Sequence, residues 1–286
     1  MFNIDIRVKS IIFLLIAAIL WSLGGVFIKL ISWNAMTILG LRSLFTALIF
    51  LLIIKKPNFK VTINNLLIIL CYSATMILFV ISTKITTAAN AILLQYTSPI
   101  YAAILGVWIL KENIRKSDYL FMVLILFGMI LFFIQSIEKG SLLGNIFAAL
   151  SGVTYGAMHV FMRRGKEEEQ IQCVFWGNVF IAVISIPFMF NITHTFINWS
   201  GILILAVFQF SLPYFLYCIA IKNVTALEAA LIPMIEPILN PIWVLIVVGE
   251  KPGIYSIIGG IIVILAVMIR TFCIIKRQKL ETNKFT

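Results

Sequence analysis

The chain has 286 residues, 62% of them hydrophobic and only 12% charged, with a mean hydropathy of +1.10. A water-soluble fold of this length cannot hide so much apolar surface, so a globular enzyme or soluble binding domain is excluded. The formal charge of +11 does not point to nucleic acid, because the cations sit in short breaks between apolar runs and form no basic face.

Apolar runs of roughly 20 residues, the length a helix needs to cross a bilayer, follow one another almost end to end. Arg7 and Lys9 precede the first run, at 10–31; no small-x-small cleavage site follows it, so it reads as a retained span containing Trp21. The second, at 35–54, carries Arg42 near its start, where the long side chain can snorkel outward, hold a structural ion pair or turn into the bundle. The third lies at 65–83, and the fourth, at 88–110, contains Gln95, Tyr96, Ser98 and Pro99. A fifth at 118–136 precedes a sixth at 141–162, in which Ser151, Tyr155 and His159 recur every four residues and share one helix face. "RRGKEEEQ", from Arg163 to Gln170, reads as a solvated connector to the seventh run at 172–190. Asn191 and Asn198 then open two short sequons of low specificity. The eighth run, at 200–220, holds Gln209, Tyr214 and Tyr217; the ninth, at 226–248, holds Pro233, Glu236, Pro237, Asn240 and Pro241; the tenth, at 253–274, leads into a basic tail.

If the N-terminus is cytoplasmic, 17 of the 22 cations fall in inside segments, and the excess of Lys and Arg predicts both termini inside. Sliding the chain against itself until Lys84 falls on Lys222 also aligns Thr87 with Thr225, Pro99 with Pro237 and Glu112 with Glu250, so one constant offset relates all four pairs. Five spans per half is an odd number, so the second copy crosses in the opposite sense. The expected fold is therefore all-α: a polytopic integral membrane protein of about ten transmembrane helices in two inverted five-helix repeats, residues 1–137 and 138–286. Inverted repeats are a construction of secondary transporters, whose sites sit near the bilayer midplane.

Glu236 falls about 10 residues into its span, ~15 Å deep at 1.5 Å per residue, the costliest depth for a carboxylate. It reads either as a functional group facing a cavity or as hydrogen-bonded glue between helices. Ser98 is its mate under the offset. Pro99, Pro233, Pro237 and Pro241 each remove the amide that would bond the carbonyl four residues earlier, so these stretches must face protein or a wet cavity and can serve as helix breaks. The candidate substrate-binding residues are Glu236, Ser98, Gln95, Tyr96, Tyr155, His159, Trp21, Tyr214, Gln209, Asn240 and Arg42. His159 reads as an interhelical hydrogen-bond partner or as a proton carrier.

The stretches "AAILWSLGGVFIKL", "LGLRSLFTALIF", "ANAILLQYTSPIYAAILGVWILKENI", "FAALSGVTYGAMHVFMRR" and "ALEAALIPMIEPILNPIWVLIVVGEKP", with Pro followed some 13 residues later by Glu in both halves, resemble the drug/metabolite transporter superfamily in its EamA-like branch of ten-span proteins. The resemblance covers nearly the whole chain and implies export or exchange of small organic metabolites through a central cavity between the halves. One departure is Lys111, standing before Glu112 where glycine is usual, which is expected to loosen a turn.

The four cysteines form no metal-spaced cluster, and no nucleotide or hydrolase motif occurs, so no cofactor, metal or enzymatic role is expected. The expected partners are a small-molecule substrate, the lipid bilayer and a coupling proton, with no nucleic acid, in a monomer or homodimer of a bacterial cytoplasmic membrane. The competing reading is an integral-membrane enzyme or lipid flippase using Glu236 and His159 as acid and base.

Overall fold

The structure is a computed structural model and describes residues 4–24, 27, 30–58, 60–86, 88–134, 141–189, 192, 194–248 and 253–282. Glu250, Lys29, Thr87 and Asn191 lie outside the described residues, as do the side chains of Asn240 and Pro241.

The described chain is helical throughout. Its α-helices are α1 (Ile4–Ser22), α2 (Ala35–Ile54), α3 (Ile63–Ile85), α4 (Ala88–Gln95), α5 (Ser98–Leu110), α6 (Lys116–Phe133), α7 (Leu142–Arg164), α8 (Glu167–Ser185), α9 (Phe196–Ile204), α10 (Leu212–Ala220), α11 (Ala226–Leu231), α12 (Glu236–Val248) and α13 (Ile254–Thr282). They make ten rods, one for each expected span. The fourth joins α4 to α5 across Tyr96 and Thr97, the eighth joins α9 to α10 through a π-helical turn at Leu205–Ser211, and the ninth joins α11 to α12 through a 3₁₀ turn at Ile232–Ile235. Pro99 and Pro237 sit in the first turns of α5 and α12, where a missing amide costs the helix nothing.

Seven segments among the described residues are long and apolar enough to cross a membrane: Ala35–Ile54, Ile63–Thr83, Asn90–Leu110, Lys116–Phe133, Glu168–Phe188, Phe196–Asn223 and Ile257–Lys276. The other three rods are diluted or interrupted. α1 opens on Asp5, Arg7 and Lys9, α7 carries the polar face with His159, and the ninth rod is broken at its 3₁₀ turn. Leu52, Trp108, Phe127, Ile146, Phe180, Leu265 and Phe272 are exposed, whereas Arg42, Ser43, Thr46, His159 and Asn178 are buried. This is the distribution that a hydrocarbon solvent selects.

The repeat is visible in the element boundaries. Under the offset that carries Pro99 onto Pro237, the first residues of α1 and α7, α4 and α11, α5 and α12, and α6 and α13 coincide. The packing maps onto itself when the halves are exchanged. Span 3 packs on span 6 and span 8 on span 1; span 4 packs on span 6 and span 9 on span 1; spans 2 and 7, and spans 5 and 10, pair across the halves. Two large apolar cores result among the described residues, beside a smaller cluster of Ile31, Trp33, Ile38, Leu41, Ile202 and Leu205 where the loop after span 1 meets spans 2 and 8. One is built from spans 1, 2, 3, 6, 7 and 8 with a small contribution from span 9, and the other from spans 4, 5, 9 and 10. Each core draws on both halves, so the seam between the cores does not follow the sequence boundary between the repeats.

Charged residues gather at one end of the bundle. Arg7 of α1 pairs with Glu228 of α11, Arg163 Nε lies 3.6 Å from Glu112 Oε1, and Arg270 Nη2 lies 3.0 Å from Asp118 Oδ1. Burial pushes the Glu112 carboxyl above its ordinary value, against the Ala226 N–H and the Arg163 guanidinium, which both favour its charge.

Three expectations about connections are corrected. The charged run Arg163–Gln170 is solvated at Arg164, Lys166 and Glu168 but is a loop only at Gly165 and Lys166: α7 continues to Arg164, α8 starts at Glu167, and the buried Gln170 side chain donates to the Met162 carbonyl. Glu167, Glu168 and Glu169 suit the positive end of the α8 dipole, which favours helix here. Nor does Lys111 loosen its turn. It adopts the left-handed conformation at φ 55°, ψ 33°, and the N–H groups of Lys111 and Glu112 both reach the Gly106 carbonyl. The strain falls on a non-glycine residue, so Lys111→Gly is expected to stabilise the fold by about 1 kcal/mol, read as a rise in melting temperature in detergent. An unchanged or lower melting point would contradict this. Asn198 is likewise no surface sequon: it is buried, and its Oδ1 accepts from the Ser32 N–H at 3.1 Å, tying the loop after span 1 to span 8.

Candidate functional site

A cavity of about 260 Å³ lies at the seam between the two cores. Its wall takes Trp21 and Gly24 from span 1, Arg42 from span 2, Thr75, Met76, Phe79 and Val80 from span 3, and Ile92, Gln95 and Tyr96 from span 4. Tyr155 comes from span 6, Gln209, Phe210 and Tyr214 from span 8, and Glu236 and Pro237 from span 9. These positions run from mid-span toward the end of the bundle away from the ion pairs.

The wall has two polar poles. At one, the Tyr96 hydroxyl donates to Glu236 Oε2 at 2.7 Å. Both groups stand at the helix breaks that the prolines impose: Tyr96 lies in the interruption between α4 and α5, and Glu236 begins α12. At the other, the Arg42 guanidinium carbon lies 3.5 Å from the Phe210 ring centroid, and Nη1 donates to Gln209 Oε1 at 3.4 Å. Arg42 is 6% exposed and therefore turns into the bundle, not outward to snorkel, because stacking on an aromatic face and a side-chain amide offsets the cost of burying it. Gln209 Nε2 in turn donates to the Trp21 carbonyl at 3.4 Å. Gln209 owes its position to the π-helical turn, where the Leu212 N–H bonds to Val207, five residues back.

Aromatic rings fill the wall near the basic pole. Trp21 meets Tyr214 edge-on at 5.3 Å, and Tyr72 supports Tyr214 from behind at 5.1 Å while its hydroxyl accepts from Asn178 Nδ2 at 2.9 Å. Such a wall offers apolar area, one carboxylate and one guanidinium to a ligand, which suits an amphipathic molecule.

Eight of the residues expected from sequence are thus brought together: Trp21, Arg42, Gln95, Tyr96, Tyr155, Gln209, Tyr214 and Glu236. His159 is not on the wall. It is fully buried behind Tyr155, its ring 4.5 Å from that ring, and its Nδ1 is hydrogen-bonded to the Tyr217 hydroxyl. An acid–base pair of Glu236 and His159 at the cavity is therefore not formed. Ser98 is also off the wall, since it is fully buried with its carbonyl against Gly156 of α7. Pro99 and Pro233 are buried in packing, whereas Pro237 lines the cavity. The Gln95 carbonyl, freed by Pro99, faces Gly152 of α7, as does that of Leu94.

Gly24, the four residues of span 3, Ile92 and Phe210 were not anticipated. Thr75, in the hydroxyl-bearing run Tyr72, Ser73 and Thr75, was the available sign in span 3; it bonds Thr154 of span 6 at 2.9 Å. Phe210 was signalled by Pro213, which disturbs regular α-helical bonding near Gln209.

Comparison with known proteins places this geometry. The profile of the EamA-like transporter family matches residues 8–134 and again residues 142–272. The chain belongs to the EamA-like transporter family. Its two EamA copies fall on spans 1–5 and 6–10. Similar curated proteins are an uncharacterized transporter of Clostridium kluyveri, 24% identical over 91% of this chain and 92% of its own, and one of Archaeoglobus fulgidus, 22% identical over 90% and 94%. The uncharacterized transporter YyaM of Bacillus subtilis is 27% identical over 67% of each chain. A solved crystal structure superposes with a TM-score of 0.80 at 14% identity, covering 95% of this chain and 99% of its own, which establishes the shared fold. This EamA-family chain is accordingly a multi-pass membrane transporter and not an enzyme.

Proposed function

We propose that this transporter carries a small amphipathic organic solute, zwitterionic or cationic and of amino-acid size, by alternating access, and that it exports it across a bacterial cytoplasmic membrane with both termini inside. The observation that carries the reading is the pairing of a carboxylate pole, Glu236 with Tyr96, and a guanidinium pole, Arg42 with Gln209, in one cavity walled by aromatic rings. A solute ammonium suits Glu236, a solute carboxylate suits Arg42, and an apolar side chain suits Trp21, Tyr155 and Tyr214. Glu236 is also the group suited to exchange a coupling proton. A carrier of phosphorylated compounds needs more cations on its wall than this one guanidinium.

With the charged end of the bundle in the cytoplasm, the cavity lies in the outer half. The test is binding of amino acids, purines, quaternary amines and phosphorylated sugars to purified protein by thermal shift, followed by counterflow in proteoliposomes. Saturable counterflow of amino acids or quaternary amines is expected. Transport of the phosphorylated sugars alone would overturn the reading.

A further inference from the structure

The repeat makes the two ends of the bundle comparable residue by residue. At the charged end, Arg7 of span 1 pairs with Glu228 of span 9, and both are buried. The offset between the halves carries Arg7 onto Asn145 of span 6 and relates Glu228 to Asn90 of span 4. Those two residues also meet: Asn90 Nδ2 donates to Asn145 Oδ1 at 3.4 Å, and the Thr86 hydroxyl donates to the same oxygen at 2.6 Å. The same contact between equivalent spans is thus ionic at one end and a neutral hydrogen-bonded cluster at the other.

Resting on the alternating-access reading above, we propose that Arg7–Glu228 is a latch that holds spans 1 and 9 together at the charged end. Both contacts are closed in this structure, and the neutral Asn90–Asn145 contact is the weaker of the two, so the bundle opens more readily on the side away from the latch. In an inverted repeat with identical contacts the two open states have equal free energy, and a difference in gate chemistry sets the population directly. A charge-assisted hydrogen bond between guanidinium and carboxylate is roughly twice as strong as one between two amides, so parting the Arg7–Glu228 contact costs more. Glu228 is also fixed in place, since its Oε2 accepts from the Thr225 N–H at 2.8 Å in a capping box that starts α11. Opening this end therefore disturbs the start of span 9 as well as the pair. The Glu112 carboxylate, 2.9 Å from the Ala226 N–H, ties the neighbouring turn to the end of α5.

The test uses the full chain with Cys71, Cys173, Cys218 and Cys273 replaced by serine or alanine, and one reporter cysteine at a time. Ala229→Cys, fully buried beside Glu228, reports opening at the charged end; Ile92→Cys, on the cavity wall, reports the other end. The rate of labelling by a water-soluble maleimide is read in detergent. Arg7→Gln or Glu228→Gln is expected to raise labelling at position 229 about tenfold and lower it at position 92, and the exchange Arg7→Glu with Glu228→Arg to restore both. Grafting the latch onto the other end, Asn145→Arg with Asn90→Glu, leaves the native pair intact and is expected to lower labelling at position 92. A graft that moves the two reporters in opposite directions while Arg7→Gln and Glu228→Gln move neither overturns the latch alone. If no variant moves the reporters oppositely, both the latch and the alternating-access reading fail.

Discussion

Glu236→Leu is expected to reduce counterflow by more than about a hundredfold, and Glu236→Gln by about tenfold, with both proteins folded. Leucine removes the acceptor of the Tyr96 hydroxyl, leaving a buried donor without its partner at the cavity wall, and deletes the only carboxylate among the cavity-lining residues described. Glutamine keeps an acceptor for Tyr96 but cannot ionise, so it separates the role of charge from that of hydrogen bonding. A charge-assisted bond to a solute is worth about 1.5–3 kcal/mol, or roughly ten- to a hundredfold in affinity. Size-exclusion profiles and melting curves establish that the variants are folded. Counterflow within twofold of the parent in both variants would leave Glu236 as interhelical glue.

A large effect on stability is expected at Gly156. A Cβ there would lie 2.6 Å from the Ser98 carbonyl oxygen, 2.8 Å from Tyr101 Cβ and 2.9 Å from the Ala102 amide nitrogen. Two of these three atoms are backbone, so relief requires α5 to move bodily away from α7, and packing of small residues is what lets membrane helices approach. Gly156→Val is expected to cost about 3 kcal/mol or more, a fall in melting temperature on the order of 10 °C, and to lower the yield of monodisperse protein. Gly165→Ala, whose nearest neighbours beyond the helix are the side chains of Asn64 and Ile68, is the control and is expected to melt within a few degrees of the parent. Equal melting of Gly156→Val and the parent would refute the close approach.

The rods and their order were legible because a bilayer allows few solutions: runs of apolar residues set off by Lys and Arg could hardly be anything but helices, and their limits coincide with helix ends to within a few residues in most spans. The internal repeat was equally legible, since Pro99 and Pro237 impose the same break at equivalent positions of the two halves. Sequence separated the site less well. Tyr155 and His159 share a helix face, yet one lines the cavity and the other is covered by it, and a one-dimensional pattern cannot rank residues on a face by depth. The direction of Arg42 depended on Phe210 and Gln209, which lie in the other half of the chain and are aimed by a π-helical turn that Pro213 marks without revealing what the turn faces. Ser98 inherited its candidacy from Glu236 by symmetry, but a symmetric backbone does not oblige unlike side chains to share a role.

The composition of the two cores bears on how the chain is made. Span 1 packs chiefly on spans 8 and 9, span 2 on span 7, spans 3 and 4 on span 6 and span 5 on span 10, so the first five helices leave the ribosome before the chief partner of any of them has been synthesised. During that interval Arg7 has no Glu228 and Arg42 has no Gln209 or Phe210 to receive it. The early helices must wait in the lipid, or in the insertion machinery, with these guanidinium groups held near the interface. Assembly of the bundle is therefore a late event in biogenesis, completed only when the tenth helix arrives to cover span 5.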